Sequence, residues 1–140
     1  MAKAIIAVLV GGIIGTALRF GVMVLLPSDP TVMSWSTIAV NVLGSFVLGL
    51  LVAAVWSRAG VPTWVKVGVG TGILGSFTTF SAIAVNVTVA SFAGQWLAAA
   101  LALVLSVVFS LLAAWAGIAL GSRGARPTSG EPIADQGVDL

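Results

Sequence analysis

Apolar residues dominate this chain in four long stretches, each closed by a short polar or proline-containing break. A membrane helix needs about 20 mostly apolar residues. The first span is predicted from about Ala4 to Leu26 and holds one charge, Arg19. Pro27-Ser28-Asp29-Pro30 ends it, because neighbouring prolines cannot continue a helix. The second span runs from about Met33 to Trp56 without a charge, and Arg58-Ala59-Gly60-Val61-Pro62 breaks it. No charge occurs between Lys66 and Arg123, a stretch too long for one crossing and suited to two. Ser91-Phe92-Ala93-Gly94-Gln95 is the divide, giving a third span from about Thr63 to Ala90 and a fourth from about Trp96 to Leu120. The expected fold is an all-α membrane protein of four transmembrane helices. Residues 1–121 form its one domain, and 122–140 form a polar tail expected to be disordered. The first span reads as a retained helix, since no small-residue cleavage site follows it and three more spans do.

Composition sharpens this picture. Of 140 residues, 59% are hydrophobic and 7% charged, against about 25% charged in a soluble domain. Mean hydropathy is +1.19. There is no Cys, no His and no Tyr, and the acids are Asp29, Glu131, Asp135 and Asp139. The membrane body therefore lacks thiolate, imidazole and carboxylate, the groups that nucleophilic, general acid–base and metal-assisted chemistry require. An enzyme is not expected. The net charge of +2 comes from a few basic residues at span edges, not from a nucleic-acid patch.

Those basic residues predict orientation. Lys3, Arg58, Lys66, Arg123 and Arg126 fall on one side, and the opposite loops carry no Lys or Arg. The positive-inside rule then places both termini in the cytoplasm.

Several motifs inside the spans bear on function. Gly70-Thr71-Gly72-Ile73-Leu74-Gly75 fits G-x-G-x-x-G, but neither a βαβ unit nor an acid about 20 residues on accompanies it. It reads instead as part of a glycine-rich helix (Gly68, Gly70, Gly72, Gly75) that lets backbones approach, as does the G-x-x-x-G of Gly11 and Gly15. Arg19 is costly in a span; it either snorkels, donates to a helix end or lines an electropositive vestibule. Asn41 is an amide in an apolar span, which needs an interhelical hydrogen bond or a pore role. Gly75-Ser76-Phe77-Thr78-Thr79-Phe80-Ser81 predicts a broken helix, whose freed backbone groups need partners or an ion. Ser106 and Ser110, four apart, share one face of the fourth span, as interhelical glue or as a hydroxyl track. The five Trp residues fall mostly near span ends, as an aromatic belt.

Three of these blocks together resemble the Fluc fluoride channels, also called CrcB proteins. Gly11-Gly12-Ile13-Ile14-Gly15-Thr16-Ala17-Leu18-Arg19-Phe20 is similar to that family's span-one signature. Val40-Asn41-Val42-Leu43-Gly44-Ser45-Phe46 is similar to its V-N-x-x-G-S-F. Gly72 to Ser81 is similar to its G-x-x-G-x-x-T-T-F-S. The resemblance covers about residues 4–120 and implies passive fluoride export that relieves cytoplasmic toxicity, through pores at the interface of an antiparallel dimer in the plasma membrane. It implies a structural sodium ion on backbone carbonyls of Gly75 and Thr78. Asn41 becomes the pore amide, Phe80 a pore phenylalanine, and Ser81, Ser106 and Ser110 the polar track. The motif departs at Ala82 and Ile83, where the family continues Thr-Phe. A one-sided charge bias also opposes dual insertion of a single sequence. Together these favour a heterodimer with an oppositely inserted homologue. Two other classes compete: a non-conducting structural membrane subunit, and a drug or cation exporter, which would want a membrane carboxylate.

Overall fold

The computed structural model describes residues 1–29, 34–58 and 60–123, and among these every regular element is helical. Helix α1 spans Ala2–Leu25. Helix α2 spans Trp35–Leu51 and runs on into a π-helical segment, Val52–Trp56. The third crossing is composite: α3 (Thr63–Val67), a π-helical segment (Gly68–Leu74), a single turn α4 (Gly75–Phe77), a break, and α5 (Ser81–Phe92). Helix α6 closes the chain at Trp96–Ser122. Four helical stretches are long and apolar enough to cross a membrane: Ala2–Leu25, Trp35–Trp56, Thr63–Phe92 and Trp96–Ser122. The expected start of the second span at Met33 and the expected polar tail beyond Arg123 lie outside the described residues.

The four spans pair through glycine. Helix α1 packs on the π-helical half of span three, and α2 packs along α6. At the first seam, a Cβ on Gly11 would collide with the Gly68 carbonyl, and one on Gly15 with the backbone of Ile73. Opposite them, Gly68 abuts Ala7 and Gly72 abuts Val8 and Gly11. The two glycine motifs thus pack against each other, backbone to backbone. This is how apolar helices gain dispersion energy in lipid, where burial from water no longer drives association. At the second seam Gly49 meets the Ala114 backbone, and Gly117 meets Phe46 and Leu50. Gly70 plays a different part: Trp56 lays its ring on it, so this Trp serves packing as well as the belt. Lys66 Nζ donates to the Trp56 carbonyl at 2.8 Å and closes the loop between spans two and three.

The turn into α6 falls where the Ser91–Gln95 divide was expected. Gly94 adopts φ +74, Gln95 N–H bonds to the Ala90 carbonyl at 2.8 Å, and Gly94 N–H bonds to the Ser91 carbonyl at 3.0 Å. That pair is a Schellman motif, and its left-handed residue favours glycine.

Candidate functional site

The site begins with the break in span three. Thr78 takes an extended conformation (φ −76, ψ 152), so the helical ladder stops there. The last regular rungs are Thr78 N–H and Thr78 Oγ1, both donating to the Leu74 carbonyl at 2.9 and 2.8 Å. The next residue bonds sideways rather than along its own helix. Thr79 N–H donates to Asn41 Oδ1 at 2.7 Å, and Asn41 Nδ2 donates to the Thr79 carbonyl at 2.8 Å. One buried amide on α2 therefore satisfies both backbone groups of Thr79. Three residues on, and so on the same helix face, Gly44 leaves room for the Thr78 methyl and the Phe77 ring. The V-N-x-x-G spacing is a clamp for the break: Asn41 bonds it, and Gly44 admits it. Beyond the break, Thr79 Oγ1 accepts from Ala82 N–H at 3.3 Å and so caps α5 from two residues upstream of its first turn.

These bonds leave two carbonyls without their helical donors. In an unbroken helix, Thr79 N–H would serve the Gly75 carbonyl and Ala82 N–H would serve the Thr78 carbonyl. Both donors are diverted, one to Asn41 and one to the Thr79 hydroxyl. Gly75 is also exposed on the surface of the chain. Backbone carbonyl oxygens freed from their helical donors are the kind of ligand a hard monovalent cation takes. No cluster of His, Cys, Asp or Glu suited to a metal occurs among the described residues.

A concave chamber of about 440 Å³ lies against the break. It gathers Asn41, Gly75, Thr78, Phe80, Ser106 and Ser110, all of which the sequence had marked. Ser106 is 1% exposed, and the hydroxyls of both Ser106 and Ser110 are buried without a hydrogen-bond partner. Among the described residues of this chain, neither hydroxyl makes an interhelical hydrogen bond. A buried hydroxyl left unbonded costs free energy, about 1–3 kcal/mol by mutational scales. Asn41 retains one N–H after its two bonds to Thr79. Phe80 stands out from the subunit, 68% exposed, at the lip of this chamber. Ile83 is 5% exposed and forms part of the wall.

A second chamber, of about 600 Å³, opens near the α1–α2 end of the bundle. Ser81 lines this chamber rather than the one with Ser106 and Ser110, and Arg19 lines it too, as does Ala82. Thr79 borders both chambers. Four buried polar residues of the lining escaped the sequence reading: Ser34, Ser36, Thr37 and Asn86. Asn86, on α5, is 8% exposed. The argument applied to Asn41, an amide in an apolar span, would have found it.

An all-helical, four-span membrane protein whose third crossing breaks beside unpaired polar groups has the build of an ion-conducting subunit. Residues 6–118 match the family described as CrcB-like protein, Camphor Resistance (CrcB), and the chain belongs to that family. It is similar to the fluoride-specific ion channel FluC 1 of Cutibacterium acnes, 40% identical over 116 residues that cover 80% of each chain. It is also similar to the fluoride-specific ion channels FluC of Rhizobium meliloti and Campylobacter jejuni, each 37% identical. The first match covers 79% of this chain and 89% of the relative, the second 84% and 96%.

Proposed function

We propose that the chain is a subunit of a fluoride-selective channel that lets fluoride leave the cell passively. The observation that carries this reading is the chamber in which Asn41, Phe80, Ser106 and Ser110 meet, with two buried hydroxyls unbonded in an apolar body. The relatives named fluoride-specific channels support it. A small, strongly hydrated anion needs donors at close range to replace lost water. The serine hydroxyls and the free Asn41 N–H are such donors, and the positive edge of the Phe80 ring can face an anion. No step is chemical. Hydrogen fluoride enters neutral and ionises in a less acidic cytoplasm. A negative-inside potential then drives the anion out, at about 2.3 kcal/mol per charge per 100 mV.

The working unit is an antiparallel dimer in the plasma membrane. Phe80 and Gly75 lie exposed at membrane depth, and a partner subunit rather than lipid covers them in this reading. A sodium ion between the subunits would take the Gly75 and Thr78 carbonyls and bridge two chains. Both termini are cytoplasmic, from the one-sided charge bias. The partner is an oppositely inserted homologue, because that bias disfavours inserting one sequence both ways, and because Ala82 and Ile83 replace a donor and a ring edge.

Fluoride efflux from liposomes, with chloride as control, tests this directly. The chain is reconstituted alone and with its nearest homologue from the same genome. Fluoride flux only with the homologue is expected. Flux from the chain alone would keep the channel and discard the heterodimer. Folded protein with no flux in either preparation would favour a structural membrane subunit.

A further inference from the structure

Two grooves flank the seam between α1 and the first half of span three, and only one of them carries a charge. On one side Lys3, Ile6, Ala7 and Val10 line a groove of about 430 Å³ together with Trp64 of α3. The four α1 positions lie zero, three, four and seven residues along from Lys3, so they form one face of that helix. Ala7 is the small residue of the face, and Ile6, Val10 and Trp64 stand exposed around it. Below Lys3 the groove is apolar. It runs about 10 Å at 1.5 Å rise per residue, about two-thirds of the roughly 15 Å of hydrocarbon in one leaflet. At its mouth are two donors that the protein does not use. Lys3 has no ion pair, and neither its ammonium nor the Trp64 indole N–H makes a hydrogen bond among the described residues. The first turn of α1 contains no acid. The groove on the other side, about 400 Å³ and lined by Ile5, Leu9 and Thr71 among others, holds no charged residue. Lipid chains fill apolar grooves of either kind. A cation with an indole beside it, at the edge of a span, adds a preference for the headgroup above the chain.

We propose that the groove of Lys3 and Trp64 is a binding site for an anionic phospholipid. The headgroup phosphate takes the Lys3 ammonium, and the Trp64 indole donates to a phosphate or ester oxygen at the interface. One acyl chain lies over Ala7, between Ile6 and Val10, and covers the outer side of the contact between α1 and α3. A zwitterionic lipid brings the same chain but offsets its phosphate with its own cation, so it gains less from Lys3. The site depends on the four-span fold and not on the fluoride reading. A chain that conducts nothing would still hold the lipid.

Photoreactive phospholipids test this on the assembled, full-length protein in liposomes. Two probes carry the same diazirine acyl chain, one on phosphatidylglycerol and one on phosphatidylcholine, and labelled peptides are counted by mass spectrometry. The phosphatidylglycerol probe is expected to label residues 6–10 and Trp64 about fivefold more than the phosphatidylcholine probe, the scale of one basic residue beside an anionic lipid. The uncharged groove at Ile5 and Thr71 should take both probes equally. Lys3→Gln should abolish the preference, Lys3→Arg should keep it, and Arg58→Gln, at the end of another span, should leave it unchanged. Val10→Trp fills the groove from an exposed position and should remove labelling of Ile6 and Ala7 by either probe. Excess glycerol phosphate should not compete. Equal labelling by the two probes, a preference that survives Lys3→Gln, or competition by glycerol phosphate overturns the lipid site. Because Lys3 is exposed, Lys3→Gln keeps the test decisive even where Val10→Trp folds poorly. Fluoride flux from the same liposomes is read separately, so failure of the channel reading and failure of the lipid site are distinguishable.

Discussion

The two halves of the third crossing are packed by opposite logics. The first half, Thr63 to Leu74, lies against α1 with glycine facing glycine, and the seam is complete within one subunit. The second region, from Gly75 to Ile83, is unfinished. Phe80 projects, Gly75 is exposed, and the serines facing it from α6 have unbonded hydroxyls. Membrane proteins do not leave polar groups bare without a reason. The contrast separates what holds the chain's fold together from what the chain leaves open at its surface. Mutations in the two regions should therefore move stability and transport separately.

The largest effect is expected at Gly15. A Cβ there meets the Ile73 backbone, which cannot rotate away as a side chain can. Gly15→Val should cost about 3 kcal/mol or more and leave little monodisperse protein on size-exclusion chromatography in detergent. Gly21→Ala is its control, since nothing lies within 4 Å of a Cβ there; it should purify like the parent.

Asn41→Leu comes next, because it touches both regions. It strips Thr79 of its two side-chain bonds, leaving two backbone groups unpaired. It should lower thermal stability by about 2–4 kcal/mol and abolish fluoride flux. Stability without loss, measured by thermal unfolding in detergent, would show that the break holds its shape without the clamp.

Ser106→Ala sharpens the contrast most. Its hydroxyl has no partner, so removing it should leave stability unchanged or raise it by about 0.5–1 kcal/mol, while fluoride flux falls. A loss of both together would mean the hydroxyl has a structural bond after all. The smallest expected change in stability is that of Phe80→Ala. Its ring is largely outside the subunit fold, so the unfolding temperature of dissociated subunits should barely shift. Flux of the assembled channel should be lost.

Much of this contrast was legible in residue order. Charge-free runs and proline pairs located the spans, and the glycine-threonine run located the break to within a few residues. G-x-x-x-G and the Gly68–Gly72 series announced close packing, though not that they would pack on each other. Other features left no trace in sequence. The π-helical turns are among them: Val52–Trp56 contains no glycine or proline, and at Gly68–Leu74 the glycines point to close packing but not to a widened turn. Ser81 reads as a neighbour of Phe80, yet the restart of α5 turns it to the other chamber. Of the two meanings open to Asn41, the structure shows the interhelical bond and does not exclude the pore role proposed above. The amide bonds Thr79 and still borders the chamber, which residue type alone could not reveal.

The Asn41–Thr79 pairing also bears on how the protein is made. Chains emerge from the N-terminus onward, so span two is in the bilayer before Thr79 has left the ribosome. An interrupted helix entering lipid alone would drag unpaired peptide groups with it. Here the receptor for those groups is already in place, and span three can adopt its break by docking against a neighbour inserted earlier. Order of synthesis thus does the work of a chaperone. A chain in which span three is made before span two should insert inefficiently, while the same rearrangement carrying an unbroken third helix should not.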